Sequence, residues 1–386
     1  MDLSNDQKKA LVTLEEWFSD AKKEQYITLG GYAGTGKTTL LAILRQSLNK
    51  KNKKLRVAFA SYTGKAARIL RGKLVEQKAL MKQDTVGTIH SLIYSPIVND
   101  KEEIIGWKTR EVLECDLIII DEASMVDASI WRDLRIYGKP IIAAGDHGQL
   151  PPIKGFFNLM EKPVLRLEEI HRQARENPII KLSILARERG IIPAITFGEN
   201  IKKVRRDTVD TQEQVEEWLA SYDANTLVLC GYNNTRVRLN CYLRQALEFR
   251  SAEPEANDRV ICLRNNHEKE VFNGMLGVIM NISPKDDDWY KAEIMMDGEE
   301  DVYEGLIYRK QFSSKEAINF TNNRYLTKIG DLFDFGYALT VHKAQGSQAK
   351  RVILFEERFS KMTDDEWRRW LYTGVTRAEE ELLIVG

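Results

Sequence analysis

Residues 26–48 read YITLGGYAGTGKTTLLAILRQSL. Tyr26–Leu29 is a short β-prone run, the glycine-rich stretch from Gly30 to Gly36 breaks it, and LLAILRQSL continues with helical periodicity. Gly31, Gly36, Lys37 and Thr38 fit the spacing GxxxxGK[ST], with Gly34 and Thr39 in the same loop and first turn. Glycines let backbone N–H groups wrap a phosphate, and the N-terminus of the following helix adds partial positive charge. Lys37 would reach the β- and γ-phosphates, and Thr38 would hold Mg²⁺ through its hydroxyl. A strand feeding a helix through such a loop is the opening unit of a parallel α/β sheet, and it implies a nucleoside triphosphate.

Further apolar runs support that sheet. Val57–Ala60, Leu117–Ile120, Pro140–Ala144 and Val164–Leu167 lack polar alternation, as strands buried on both faces do. Two of them end in acids. Asp121 follows four apolar residues, so it leaves the sheet at the edge that carries the glycine loop, where it can bind Mg²⁺ through its water shell. The adjacent Glu122 can deprotonate an attacking water. Residues 141–153, IIAAGDHGQLPPI, place Asp146 and Gln149 at the end of another strand. Gln149 is neutral and can donate to a γ-phosphate oxygen, a partner it loses on hydrolysis. One hydrogen bond to a charged group is worth roughly 1.5–3 kcal/mol, enough to shift a loop between two positions. Pro151 and Pro152 would pass that shift on as a stiff lever. Gln149 therefore reads as a γ-phosphate sensor.

A second alternating set starts at Leu227–Cys230 and resumes at Tyr337–Thr340, Val352–Phe355 and Leu382–Val385. Between them, about Asn257 to Gly330, lie short alternating runs with Asn-Gly and Asp-Gly turns, the texture of an antiparallel sheet. A smaller insertion, 92–113, interrupts the first set. Its apolar ends bracket the polar turn NDKEE, which predicts a β-hairpin. The fold class is therefore α/β, two parallel-sheet domains each with a small β insertion. The expected boundaries are 1–168 for the first domain, 169–256 with 331–386 for the second, and 257–330 for its insertion.

Composition limits the function classes. Lys plus Arg and Asp plus Glu each total 57, so a nucleic-acid partner needs local basic patches. The densest runs from Lys50 to Lys73 and includes Lys65 and Arg68, although Lys50–Lys54 reads equally as a solvated loop. The cysteines, Cys115, Cys230, Cys241 and Cys262, lack CxxC spacing, which argues against zinc, iron–sulfur and disulfide frameworks. MDLSNDQKKALVTLEEWF has no leader pattern and no apolar run reaches the ~18 residues of a membrane span, so the expected compartment is cytoplasmic, a host cytoplasm if the gene is phage-borne.

One phosphate-loop domain lacks a cation for charge developing in the transition state, a role that arginine fingers fill. Arg172, in LEEIHRQARENP, and Arg377, in WLYTGVTRAEE, are the candidates, and the second α/β domain would deliver both in cis.

At this point the chain resembles the superfamily 1 helicases, most closely the 1B branch of Dda-like and RecD-like proteins. NDQKKAL is similar to the Q motif, GYAGTGKTT to motif I, ASYTGKAARIL to motif Ia, and IIIDEAS to motif II. GTIHS is similar to the short motif that precedes the first insertion. GDHGQLPPI resembles motif III, IHRQ motif IV, FGYALTVHKAQGSQ motif V and LYTGVTRA motif VI. DRVICLRNN with VFNGMLGVI resembles an SH3-like insertion. The segments occur in the family's order over nearly the whole chain. One departure is Ser61-Tyr62-Thr63, where a Pro-Thr pair is common.

The resemblance implies two RecA-like domains, ATP and Mg²⁺ as cofactors, Gln7 reading adenine, and 5′→3′ movement along single-stranded DNA with unwinding at single/double-strand junctions. It places Thr63 and His90 in the first domain, and Thr340 and His342 in the second, along the strand, with Lys65 in the basic region beside Thr63. His90 and His342 are as readily structural histidines as strand contacts. The 92–113 hairpin takes the place of the family's pin, with Trp107 as the ring that would meet the last base pair; packing of Trp107 onto the domain is the alternative. The expected state is a monomer with no membrane partner, working with single-strand-binding or replication proteins. An RNA translocase and a motor subunit of a nuclease complex are the competing functions.

Overall fold

In the computed structural model, which describes residues 3–98, 104–152, 157–170, 176–266, 268–315 and 329–386, the strand predicted at Tyr26 runs Tyr26–Gly31 and feeds a helix at Lys37. The first unit covers Met1–Lys181. Its elements are α1 (Asn5–Ser19), β1 (Tyr26–Gly31), α2 (Lys37–Lys51), β2 (Val57–Ser61), α3 (Gly64–Glu76), β3 (Thr85–Thr88), α4 (Ile89–Ile93), β4 (Tyr94–Val98), β5 (Ile104–Thr109), β6 (Leu117–Asp121), α5 (Ala128–Arg135), β7 (Ile141–Gly145) and β8 (Leu165–Leu167). Six of the strands form one sheet in the order β3-β2-β6-β7-β1-β8, parallel throughout.

Alternation explains why this sheet takes helices on both faces. Leu117 and Ile119 of β6 join Leu29, Phe59 and Ile142 beneath α1, α2 and α3, where Leu14, Leu40, Leu44 and Leu70 are fully or almost fully buried. Ile118 and Ile120 face the other way, toward Ile89, Ile130, Trp131 and Leu134. Every residue of β2, β6 and β7 is buried, so polar alternation had no place in them. The edge strand β3 differs. Its four residues, TVGT, begin exposed and stay half-buried. Strands β4 and β5 pair antiparallel as a separate hairpin, with Trp107 opposite Pro96.

The second unit covers Leu182–Gly386, the division falling inside α6 (Pro178–Arg189). It contains β9 (Thr196–Gly198), β10 (Ile201–Val204), α7 (Val209–Ala220), β11 (Thr226–Cys230), α8 (Asn233–Ala246), β12 (Arg259–Cys262), β13 (Leu276–Pro284), β14 (Trp289–Met296), β15 (Val302–Tyr308), β16 (Phe333–Phe335), β17 (Ala338–Thr340), β18 (Ala349–Phe355), α9 (Asp364–Val375) and β19 (Ala378–Val385). A second sheet runs β17-β11-β18-β19-β10-β9. It is parallel except for the antiparallel edge strand β9.

The insertion is an antiparallel sheet, β15-β14-β13-β12-β16. It takes Phe333–Phe335 as its last strand, so the insertion sheet reaches past Gly330 before the chain returns to the second parallel sheet at Ala338. Buried ion pairs fasten the junction. Arg236 on α8 reaches Asp334 on β16 at 2.8 Å, and Arg244 on the same helix reaches Asp258 at 2.8 Å. Among the described residues no helix is long and apolar enough to cross a membrane.

Candidate nucleotide and nucleic-acid sites

The phosphate loop is built for an anion. Gly34 and Gly36 hold φ of 77° and 73°, in the left-handed region that favours glycine. Gly36 is the N-cap of α2 and no side chain caps it, so the first-turn N–H groups face the loop. A Cβ on Gly31 would stand 2.7 Å from the Thr35 hydroxyl and 2.9 Å from Lys37 Cγ. The loop has no room for a side chain at Gly31. Lys37 Nζ donates to the Gly31 and Tyr32 carbonyls at 2.7 and 3.1 Å, while Thr39 sits in the next turn position of α2.

The two side chains expected to hold Mg²⁺ meet each other. Thr38 Oγ1 donates to Asp121 Oδ2 at 2.9 Å, and Asp121, almost fully buried, accepts the Glu122 N–H on its other oxygen at 3.0 Å. A hydroxyl and a carboxylate side by side beneath a phosphate loop fit a hard, oxygen-seeking cation such as Mg²⁺. Glu122 has φ of 58°. A glutamate in that region costs of order 1–3 kcal/mol of strain, and such strain concentrates at functional sites.

The β7 loop lies against the same edge. Asp146, buried, accepts the Gly148 N–H at 2.9 Å and the Gln149 amide at 3.3 Å. Its neighbour His147 lies over Tyr32 of the phosphate loop, ring centroids 4.1 Å apart. A Cβ on Gly30 would stand 2.9 Å from His147 Nδ1. Lys37, Thr38, Asp121, Glu122 and Gln149 are thus gathered at the C-terminal ends of β1, β6 and β7.

Gln7, expected to read adenine, occupies a structural position. Its side chain closes a capping box with Ser4, and its amide donates to the Thr35 carbonyl of the phosphate loop at 2.9 Å. Sequence reasoning missed Asp6. Its carboxylate accepts the Glu168 and Glu169 N–H groups at 2.7 and 2.8 Å. Burial pushes its pKa up, but the Ser4 hydroxyl and those N–H groups outweigh this and hold it below the usual value. Asp6 thereby ties α1 to the segment leading to Arg172, which itself lies outside the described residues. No sequence motif marks such a bond across the chain.

In the second unit Arg377 is almost fully buried. It donates to the Thr373 carbonyl at 3.0 Å, the Ser347 carbonyl at 3.2 Å and the Thr376 hydroxyl at 3.1 Å.

The residues expected along a strand fall at strand ends. Thr63 caps α3, accepting the Ala66 N–H at 3.2 Å, and Lys65 is exposed in its first turn. Thr88, which sequence reasoning passed over, caps α4 and accepts the Ser91 N–H at 3.0 Å. His90 is buried, with Tyr62 and Tyr94 rings at 5.9 and 6.0 Å. Burial also pushes the Tyr62 hydroxyl up to about 12. Thr340 ends β17 and its carbonyl accepts the Lys343 N–H at 2.9 Å. His342 follows, its pKa lowered by burial. The two edge strands β3 and β17 thus each end in Thr-x-His. Lys343 Nζ donates to Asn273 Oδ1 at 2.7 Å, linking this turn to the insertion. Trp107 is half-buried on its hairpin and Ile97 is exposed.

The chain is similar to several known proteins. Residues 2–208 match the AAA domain family and residues 335–385 the UvrD-like helicase C-terminal domain. The ATP-dependent RecD2 DNA helicase of Deinococcus radiodurans is 27% identical over 93% of this chain and 47% of its own length. The RecBCD enzyme subunit RecD of Buchnera aphidicola subsp. Schizaphis graminum is 23% identical, over 93% of this chain and 70% of its own. A crystal structure of the Pif1 helicase from Bacteroides in complex with ADP-AlF3 and ssDNA has the same fold, with a TM-score of 0.52 at 20% identity, covering 100% of this chain and 92% of that one. The chain spans about half or less of the length of the first curated relatives it matches, 47% and 38%. With the AAA domain family covering more than half of the chain, and two parallel-sheet RecA-like domains carrying an antiparallel insertion, the protein belongs to that family, as a RecD-like member of the superfamily 1B helicases.

Proposed function

We propose that the protein is an ATP-driven motor on single-stranded DNA that unwinds duplexes, moving 5′→3′. The observation that carries this reading is the Thr38–Asp121 pair at 2.9 Å beneath a glycine loop, with Lys37 and Gln149 at the same sheet edge. Mg²⁺, when bound, supplies charge neutralisation at the β- and γ-phosphates. Thr38 and Asp121 would hold it. Lys37 exchanges its loop carbonyls for phosphate oxygens, and the free N–H groups of α2 take the rest. Glu122 orients and deprotonates the attacking water, and Arg172 and Arg377 stabilise the charge that develops. Gln7 contacts the adenine while bracing the loop through Thr35.

The bond from Gln149 to Asp146 is long for an amide donor, at 3.3 Å. A γ-phosphate oxygen offers the amide a better acceptor, so Gln149 leaves Asp146 on binding and returns after hydrolysis. DNA is held through its phosphates by Thr63, Lys65 and the Thr-x-His turns at Thr88–His90 and Thr340–His342, contacts that grip without reading sequence. Trp107 on the hairpin meets the junction. The relative from Deinococcus radiodurans is an ATP-dependent DNA helicase, which supports DNA over RNA as the track.

The test compares ATP turnover with and without oligo-dT and poly-U. Stimulation by dT, abolished by Lys37→Ala with strand binding retained, supports the reading. Stimulation by poly-U alone would assign the motor to RNA.

A further inference from the structure

The spacing GxxxxGK[ST] fixes Gly31, Gly36, Lys37 and Thr38 and leaves Tyr32 open, yet Tyr32 carries a contact to the β7 loop. Gly30 of β1 is in register with Gly145 of β7, and Tyr32 and His147 each lie two residues beyond that pair. Their rings meet with centroids 4.1 Å apart and planes at 44°. Both side chains are half-buried. The imidazole also lies over the end of β1. A Cβ on Gly30 would stand 2.9 Å from His147 Nδ1, so glycine there leaves the space that the ring fills.

Each ring stands on a segment that handles phosphate in the proposed cycle. The Tyr32 carbonyl accepts Lys37 Nζ at 3.1 Å and the Thr35 hydroxyl at 2.8 Å. His147 lies between Asp146 and Gln149, inside a turn where the Asp146 carboxylate accepts the Gly148 N–H at 2.9 Å and the Gln149 amide at 3.3 Å. In the proposed cycle Lys37 and Gln149 both leave these partners for phosphate oxygens. The ring contact depends on neither bond, so it can hold the two loops together through the exchange.

We propose that His147 is a positioning residue. Its ring, seated on Tyr32, ties the β7 loop to the phosphate loop, so that the Gln149 amide stays within reach of the γ-phosphate that Lys37 binds. A donor follows the state of a ligand only when neighbouring side chains hold it close to its productive geometry, and packed rings supply such a restraint. The inference rests on the proposed reading of Gln149 as the γ-phosphate sensor.

The test compares wild type with His147→Leu, His147→Phe, Tyr32→Leu, Gln149→Ala and two double variants, Tyr32→Leu/His147→Leu and His147→Leu/Gln149→Ala. Strand displacement and phosphate release are read in one sample, with KM for ATP alongside. His147→Leu and Tyr32→Leu are each expected to lower unwinding per ATP hydrolysed about three- to tenfold, the contribution of one ring pair, and to change KM by a smaller factor. The Tyr32→Leu/His147→Leu variant should lose no more than either single, because one contact is removed in all three. His147→Phe keeps a ring on Tyr32 and should retain wild-type unwinding per ATP. Beside Gln149→Ala, His147→Leu should cost nothing further, whereas a merely structural ring would add its own loss. Losses that multiply in the Tyr32→Leu/His147→Leu variant, an equal loss in His147→Phe, or a further loss beside Gln149→Ala would each overturn the inference. So would wild-type unwinding per ATP in His147→Leu. If Gln149→Ala alone kept wild-type unwinding per ATP, the sensor reading would fail and take the inference with it, a result read without touching either ring.

Discussion

Glu122 carries two costs for a single task. It is held at φ 58°, strain that glycine would relieve, and it stands beside the Asp121 carboxylate. In the proposed function that acid takes a proton from the attacking water. Glu122→Gln should therefore lower DNA-stimulated turnover about 10²- to 10⁴-fold, the usual contribution of a general base, while the Kd for oligo-dT stays at the wild-type value. Near wild-type turnover would remove Glu122 from the role. Gln149 is expected to behave differently. Gln149→Ala should lower unwinding per ATP hydrolysed more than it weakens ATP binding, read from strand displacement and phosphate release in the same sample. Parallel losses with coupling unchanged would make Gln149 an ordinary ligand. His342 and Lys65 separate by charge. Burial lowers the His342 pKa, so the ring is neutral at pH 7. Its neutral form is favoured in the fold, so acidification costs stability as pH falls below about 6.5, where the unfolded chain takes up the proton first. Lys65→Ala should reduce the slope of log Kd against log salt by about 0.7, whereas His342→Asn should leave that slope unchanged at pH 7.5. A slope change for His342→Asn would mean that the ring binds DNA charged.

At the level of elements, legibility followed burial. β1, β2, β6, β7 and β11 are buried on both faces, and continuous apolar runs such as LIII make such strands readable. β3 was missed because TVGT is a polar edge strand with a glycine and too few side chains to show a period. The FDF of β16 read as part of the returning parallel sheet because Asp334 carries no outward sign of its buried pairing with Arg236. Motif residues were legible where spacing alone brings them together, as in the phosphate loop. Asp6 was not, since its partners lie far along the chain in the segment after β8, and Thr88 was passed over although its cap on Ser91 is local. The β4–β5 hairpin was legible from its polar turn, and its function can be tested directly. If Trp107 meets the junction, Trp107→Ala should lose unwinding while single-strand-stimulated turnover stays within about twofold, since base stacking contributes ~1–3 kcal/mol only where a duplex is opened. Loss of both, with a lowered Tm, would place Trp107 in packing.

For the whole molecule, the two parallel sheets divide the work. The first unit holds the entire described phosphate site, and the second has strand ends of the same kind without a glycine loop. In the proposed function the second unit's part in hydrolysis falls to Arg377, which is held by Thr373, Ser347 and Thr376. Arg377→Ala should slow turnover in a dilute monomer with ATP affinity changed far less, and mixing with Lys37→Ala protein should restore nothing, because the arginine acts on its own chain. Restoration on mixing would require a second copy. The central claim, that ATP turnover at the Thr38–Asp121 site drives directional movement on DNA, is tested most directly by strand displacement on two duplexes that differ only in carrying a 5′ or a 3′ dT tail. Wild type is expected to displace the 5′-tailed strand in an ATP- and Mg²⁺-dependent reaction that Glu122→Gln lacks. Displacement from the 3′ tail alone, or displacement that persists in Glu122→Gln, would contradict the account.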